Sequence, residues 1–333
     1  MSDLSKLKVS SSPHIRSSES TPRIMLDVII ALMPALAVAT YVFGPRALIV
    51  TAVSVISCVV SEHVYCKIMK KPSSVGDLSA IVTGVLLAYC LPVSIPLWIV
   101  ILGGAFAIVI VKQLYGGIGK NFMNPALASR AFLMASFPSL MTTWVKTGAK
   151  LPLFTSVDAN TSATPLNALK AGTIPDVSLS DAALGMIGGC LGEISAVALL
   201  AGALYLLYRK VISLHTPLAY IGTVAVLTFI FPKGGIPNYQ YMLYSLLSGG
   251  LILGALFMAT DYTTSPVTRK GQIIYGVGAG LLTVFIRYFG SYPEGVTYAI
   301  LIMNALVFLI EKITLPKKFG APDKKKAKEA AGK

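Results

Sequence analysis

The chain has 333 residues, of which 55% are hydrophobic and only 13% charged, with a mean hydropathy of +0.73. Soluble domains carry roughly 25% charged residues, so this composition excludes a soluble enzyme and points to a protein that meets lipid. The net charge of +14 does not by itself indicate nucleic acid. A membrane protein places Lys and Arg beside its spans to set their orientation.

Residues 1–23 are polar and serine-rich, and they lack the short apolar core and small-residue cleavage site of a signal peptide. The apolar runs that follow are about 17 to 25 residues long, the helix length that crosses roughly 30 Å of hydrocarbon, and they lack strand alternation. They predict an all-α polytopic membrane protein of about ten transmembrane helices. The first set falls near 24–43, 47–66, 78–92, 95–114 and 125–143, and the second near 182–208, 215–231, 243–259, 271–289 and 296–315. Between the sets lies one long polar segment, 144–181, and after them a basic tail, 316–333. With the N-terminus placed in the cytoplasm, most of the 28 Lys and Arg fall on cytoplasmic segments. The positive-inside bias therefore predicts both termini in the cytoplasm of a prokaryotic inner membrane and 144–181 outside it.

The sets 24–143 and 182–315 share a layout: a short small-residue helix, a proline-containing break, a glycine-bearing helix, a glycine-rich connection and one more helix. Pro96 answers Pro266, and Gly116-Gly117-Ile118-Gly119 answers the stretch from Gly290 to Gly295. Five helices per set, an odd number, would make the halves inverted repeats, with broken helices in matching positions marking a site between them. Four cysteines, Cys58, Cys66, Cys90 and Cys190, lie in or beside apolar runs without CxxC spacing, and are read as small buried hydrophobes.

The outer segment contains Asp158, Thr161, Ser162, Ala163 and Thr164 followed by Pro165. A threonine hydroxyl there is open to an external enzyme and can be esterified to phosphate, with Asp158 helping to position that enzyme's metal. Turn formation through side chain to backbone bonds is the alternative reading of the same residues.

The run Asp158-x-x-Thr161-Ser162-Ala163-Thr164 resembles the acceptor motif Asp-x-x-Ser/Thr-Gly-Ala-Thr, on whose final threonine a flavin transferase attaches FMN by a phosphoester. Ser162 stands where that motif has glycine. Further segments resemble the RnfD/NqrB family of membrane subunits: Ser12-Pro13-His14-Ile15-Arg16, Gly116 through Ala126, Gly189 through Ser195, Ala259 through Thr268, and Tyr292-Pro293-Glu294-Gly295. The resemblance implies covalent FMN at Thr164 and a place in a complex that passes electrons between ferredoxin and NAD while moving Na⁺ or H⁺. It also implies partner subunits, among them a second covalent-FMN subunit, iron–sulfur subunits and small membrane subunits. A noncovalent riboflavin is expected near Asn121 and Asn124, whose amides suit a flavin ring. Helix capping followed by a break at Pro125 is the competing account of those two residues.

Arg130 falls inside a predicted span, as a site residue or as a side chain reaching to the cytoplasmic surface. Glu193, placed in an apolar helix, together with Asp261 and Glu294, forms the set of candidates for an ion path. His63 and His215 sit near span ends and are read as interfacial. No catalytic acid or base is assigned, because bound flavins carry electron transfer without one. No metal site is assigned either, and neither a nucleotide fingerprint nor an iron–sulfur motif occurs, so the subunit alone is expected to have little activity. A channel or secondary transporter on the same inverted repeats, with no redox role, is the alternative.

Overall fold

The computed structural model describes residues 19–145, 153, 164–193, 195–290, 292 and 294–316. Among these the chain is built from helices, with no β-strand. In chain order the helices are α1 (Thr21–Phe43), α2 (Arg46–Ile68), α3 (Ser79–Tyr89), α4 (Leu97–Gln113, π-wound from Phe106), α5 (Pro125–Ser136) and the single turn α6 (Pro138–Met141). They continue with α7 (Pro165–Ala171), α8 (Leu179–Leu184), α9 (Ala196–Tyr208), α10 (His215–Ile230), α11 (Asn238–Leu247), α12 (Leu251–Met258, π-wound from Gly254), α13 (Arg269–Phe289) and α14 (Val296–Thr314).

Among the described residues, α1, α2, α13 and α14 are long and apolar enough to cross a membrane, and α11 with α12 makes a fifth if the bent pair is one span. Shorter apolar helices, α3, α4, α9 and α10, pack beside them. Large apolar side chains face outward, with Phe289 76% and Ile313 81% exposed, as expected of a surface solvated by lipid tails. Because lipid gives no hydrophobic drive between helices, cohesion comes from close approach and from hydroxyl bonds to backbone. Ser54 Oγ donates to Gly84 O (2.7 Å) across α2 and α3, Ser57 Oγ to Ile101 O (2.9 Å) across α2 and α4, and Ser129 Oγ to Gly103 O (2.7 Å) across α4 and α5. A Cβ on Gly84 would lie 2.7 Å from Val55 Cα, so the glycine is what lets those backbones meet.

Three expected spans are broken. The run 182–208 is not one helix: α8 ends at Leu184, and only Ala196 resumes the helix as α9. Gly185, Gly188, Gly189 and Gly192 fall in this interval, and its backbone bonds another segment, with Leu191 N–H donating to Leu91 O (3.1 Å) and Gly192 N–H to Tyr89 O (2.9 Å). Glu193 therefore stands in a non-helical crossing, not in an apolar helix. The run 243–259 starts earlier, at Asn238, and bends by 63° where Gly249 and Gly250 take φ of +75° and +65°. The run 125–143 stops at Ser136, because Phe137 precedes Pro138 and is pushed out of the helical region to φ −133°, ψ 56°. Residues 144–181, expected to be a polar connection, carry α7 and the start of α8.

Candidate functional site

Two cavities of similar size flank the contact between α5 and α14, one beside the N-terminus of each helix. Asn124 caps α5, its Oδ1 accepting from Ala126 N–H (3.1 Å) and Leu127 N–H (3.3 Å), with Pro125 at the first helical position where its missing N–H costs nothing. Asn304 of α14 bonds the Tyr275 hydroxyl (2.6 Å) and, with its oxygen toward α5, accepts from Asn124 N–H (3.1 Å). In return Arg130 of α5 reaches Glu294, just ahead of α14.

The cavity beside α14 measures about 430 Å³, and its wall includes Arg130, Trp144, Thr164, Tyr292, Glu294 and Tyr298. Thr164 is held at that wall by α7, whose first turn it caps: Thr164 Oγ1 accepts from Asn167 N–H at 3.4 Å. The helix is in turn fixed from two sides. Leu166 and Leu169 pack with Ile236, Tyr241 and Tyr244, and Lys170 Nζ donates to Gly290 O (2.6 Å). Tyr292 and Tyr298 stack with ring centroids 5.8 Å apart.

Behind this wall is a cluster of buried charge. Arg130 is 5% exposed; its Nη2 is bonded to Glu294, donates to Cys190 Sγ (3.3 Å) and lies 3.6 Å from Glu193 Oε1. It lines the cavity and reaches no surface, which corrects the reading of a side chain extending out of its span. Arg287 adds a second cation, its guanidinium donating to Ser245 O (2.5 Å), Ser248 O (3.1 Å) and Glu294 O (3.0 Å). Cys190 Sγ donates to Cys90 O (3.2 Å), so this cysteine ties the two crossing segments and is more than a small hydrophobe.

The cavity beside α5 measures about 420 Å³ and is mainly apolar, with polar groups from Lys112, Asn121, Asn124, Asp261 and Thr263. Asn121 Nδ2 donates to Thr263 Oγ1 (3.0 Å), and Asp261 accepts from the hydroxyls of Thr263 and Thr264 (3.1 Å each). Lys112 pairs with Glu62 at 2.9 Å, with side chains 3% and 0% exposed.

The structure thus divides the residues singled out in the sequence. Thr164, Arg130 and Glu294 line one cavity with Glu193 behind Arg130, and Asn121, Asn124 and Asp261 line the other. Asp158, Thr161, Ser162 and Ala163 lie outside the described residues. Sequence reasoning misses Trp144, Tyr298, Glu62 and the site role of Lys112. Trp144, one of two tryptophans in the chain, marks the edge of an apolar run, which is the available signal.

A bundle of apolar helices with broken segments meeting at buried ion pairs, and a cavity on either side, defines a polytopic membrane protein with internal cavities. The sequence matches the NQR2, RnfD, RnfE family over residues 8–320, and the chain belongs to that family. It is 52% identical over 327 residues to a subunit of the Na(+)-translocating ferredoxin:NAD(+) oxidoreductase complex of Acetobacterium woodii, covering 97% of this chain and 98% of that one. It is 45% identical over 323 residues to a subunit of the proton-translocating ferredoxin:NAD(+) oxidoreductase complex of Clostridium ljungdahlii, covering 94% and 96%. Against a subunit of the ion-translocating oxidoreductase complex of Actinobacillus succinogenes the identity is 35% over 346 residues, covering 94% and 98%.

Proposed function

We propose that the chain is a membrane subunit of an ion-translocating electron-transport complex of the ferredoxin:NAD oxidoreductase type, and that Thr164 carries FMN through a phosphoester. The relatives named above support the first half. The observation that carries the second is the position of the Thr164 side chain on the wall of an aromatic cavity of about 430 Å³, within the roughly 300–1,000 Å³ typical of cofactor and ligand pockets. The residues fit such a group: Trp144, Tyr292 and Tyr298 would cover an aromatic ring system, and Arg130 offers positive charge to an electron-rich one. When bound, the flavin supplies electron acceptance and release; the protein positions it and keeps it dry. The second cavity, with few polar groups on an apolar wall, suits a noncovalent flavin such as riboflavin, bonded by Asn121 and facing Asn124.

In this reading both termini are cytoplasmic, Thr164 lies on the extracytoplasmic side, where the flavin transferase acts, and the remaining subunits bring the ferredoxin- and NADH-reactive centres. The sodium- and proton-translocating relatives are both close, so similarity does not choose the ion. Protein purified from cells containing the transferase and denatured in SDS should give a fluorescent yellow-green band, lost in Thr164→Val. A band without flavin from such cells would leave the non-redox channel or transporter.

A further inference from the structure

We propose that Glu193 and Glu294, held around the guanidinium of Arg130, share one exchangeable proton, and that they form the proton-accepting group behind the Thr164 cavity. The link to redox chemistry rests on the flavin reading above; the proton site itself rests on the geometry.

The two carboxylates approach a single guanidinium unequally. Glu294 is bonded to Arg130 Nη2, whereas Glu193 Oε1 lies 3.6 Å from the same nitrogen, beyond hydrogen-bond reach. Among the described residues no donor reaches Glu193 Oε1, although the residue is only 8% exposed. The other described ionisable groups facing it are committed elsewhere. Arg287, on α13, gives its donors to backbone carbonyls, and Cys190 turns its S–H to Cys90 O, with Cys90 buried behind it. The carboxyl is fenced by backbone on two sides, since a Cβ on Gly189 or Gly250 would lie 3.1 or 3.0 Å from its oxygens. A buried carboxylate lacking a donor is costly, and binding a proton removes most of that cost. The route from the cavity is also visible: Glu294 lines it, its side chain 13% exposed, and Glu193 lies one guanidinium further in.

In the step proposed, a hydronium ion reaching the cavity from bulk water gives up one O–H bond, a carboxylate oxygen of the pair forms an O–H bond with that proton, neutral water is left behind, and no electron moves within the pair. The added positive charge offsets one electron delivered by a one-electron donor to the group at Thr164.

The test is infrared difference spectroscopy on the full-length flavin-loaded protein, in H₂O and D₂O, between oxidised and dithionite-reduced states. A protonated-carboxyl C=O band that grows on reduction, shifts in D₂O, survives in Glu193→Asp and vanishes in Glu193→Gln is the expected result. The midpoint potential should fall with rising pH by up to about 59 mV per tenfold change in proton concentration, and this slope should flatten in Glu193→Gln. Thr164→Val, which carries no tethered flavin, is titrated by pH alone and should still show the band, lost again when combined with Glu193→Gln. If the wild type shows no exchangeable carboxyl band, or Glu193→Gln leaves the band unchanged, the proposal is overturned. A band that titrates with pH in wild-type protein found to carry no flavin, although made in cells containing the transferase, sustains the proton site while rejecting the flavin reading. Should Glu193→Gln fail to fold, Glu294→Gln gives the same comparison.

Discussion

Arg46, Lys112, Arg130 and Arg287 are buried cations, and they divide between backbone carbonyls and carboxylates as partners. Arg46 and Arg287 are bonded to backbone carbonyls, Arg46 to Val93 O (2.8 Å) and Ile95 O (3.3 Å), and so satisfy carbonyls of non-helical chain and, at Ser245, of a helix end. Lys112 instead meets Glu62, with Gln113 Nε2 also donating to Glu62 Oε1 (2.8 Å). Removing one partner of such a pair leaves an uncompensated charge, so Glu62→Leu or Lys112→Met alone should cost about 3–5 kcal/mol, while the double variant should recover most of it. Thermal unfolding of the singles and the double in one detergent checks this; singles as stable as wild type would contradict it. Residue-scale chemistry is the least legible in the sequence. A charge tally treats Lys112, Arg46 and Arg287 as loop residues marking orientation, because a partner 50 residues away, as Glu62 is from Lys112, leaves no local trace. Asn124 is more readable, since an asparagine before Pro125 is a cap by its own chemistry, and it caps α5.

At the scale of elements, approach between backbones decides which helices pair. On α9, a Cβ built on Gly202 would overlap Ala31 O of α1, whereas one on Gly222 of α10 would meet nothing within 4 Å. Gly202→Ala should therefore destabilise by about 1–3 kcal/mol by forcing α1 and α9 apart, and Gly222→Ala should be neutral or slightly stabilising. The contrast is measured as the shift in denaturation midpoint of each variant, and equal shifts would contradict the packing described. The α1–α9 seam also carries Asp27, which accepts from Tyr205 (2.8 Å) and pairs with Arg209 (3.1 Å). Helix existence is legible from the apolar runs, as α1, α2, α13 and α14 fall within a few residues of their expected places. The breaks are less so. Pro138 is a local signal and announces the end of α5, but the crossing at Glu193 exists because Leu191 and Gly192 bond Leu91 and Tyr89, about 100 residues earlier.

For the whole molecule, α3 and α12 are both short apolar helices followed by non-helical chain, and α5 and α14 each begin beside a cavity. The inverted repeats expected over 24–143 and 182–315 would put these features in matching positions of the two halves. Ten spans and a cytoplasmic location for both termini belong to that reading, and a single cysteine placed in 144–152 should then react with an impermeant maleimide on intact cells, whereas one in the 316–333 tail should not. Purified alone, the subunit should not oxidise NADH, since the chain carries no nucleotide fingerprint; turnover by the isolated subunit would contradict this. The central claim is tested most directly by mass spectrometry of the proteolytic peptide containing Thr164 from the assembled complex. The account predicts that this peptide carries the added mass of a phosphoester-linked FMN, localised to Thr164 by fragmentation. An unmodified threonine in the assembled, electron-transferring complex would contradict it.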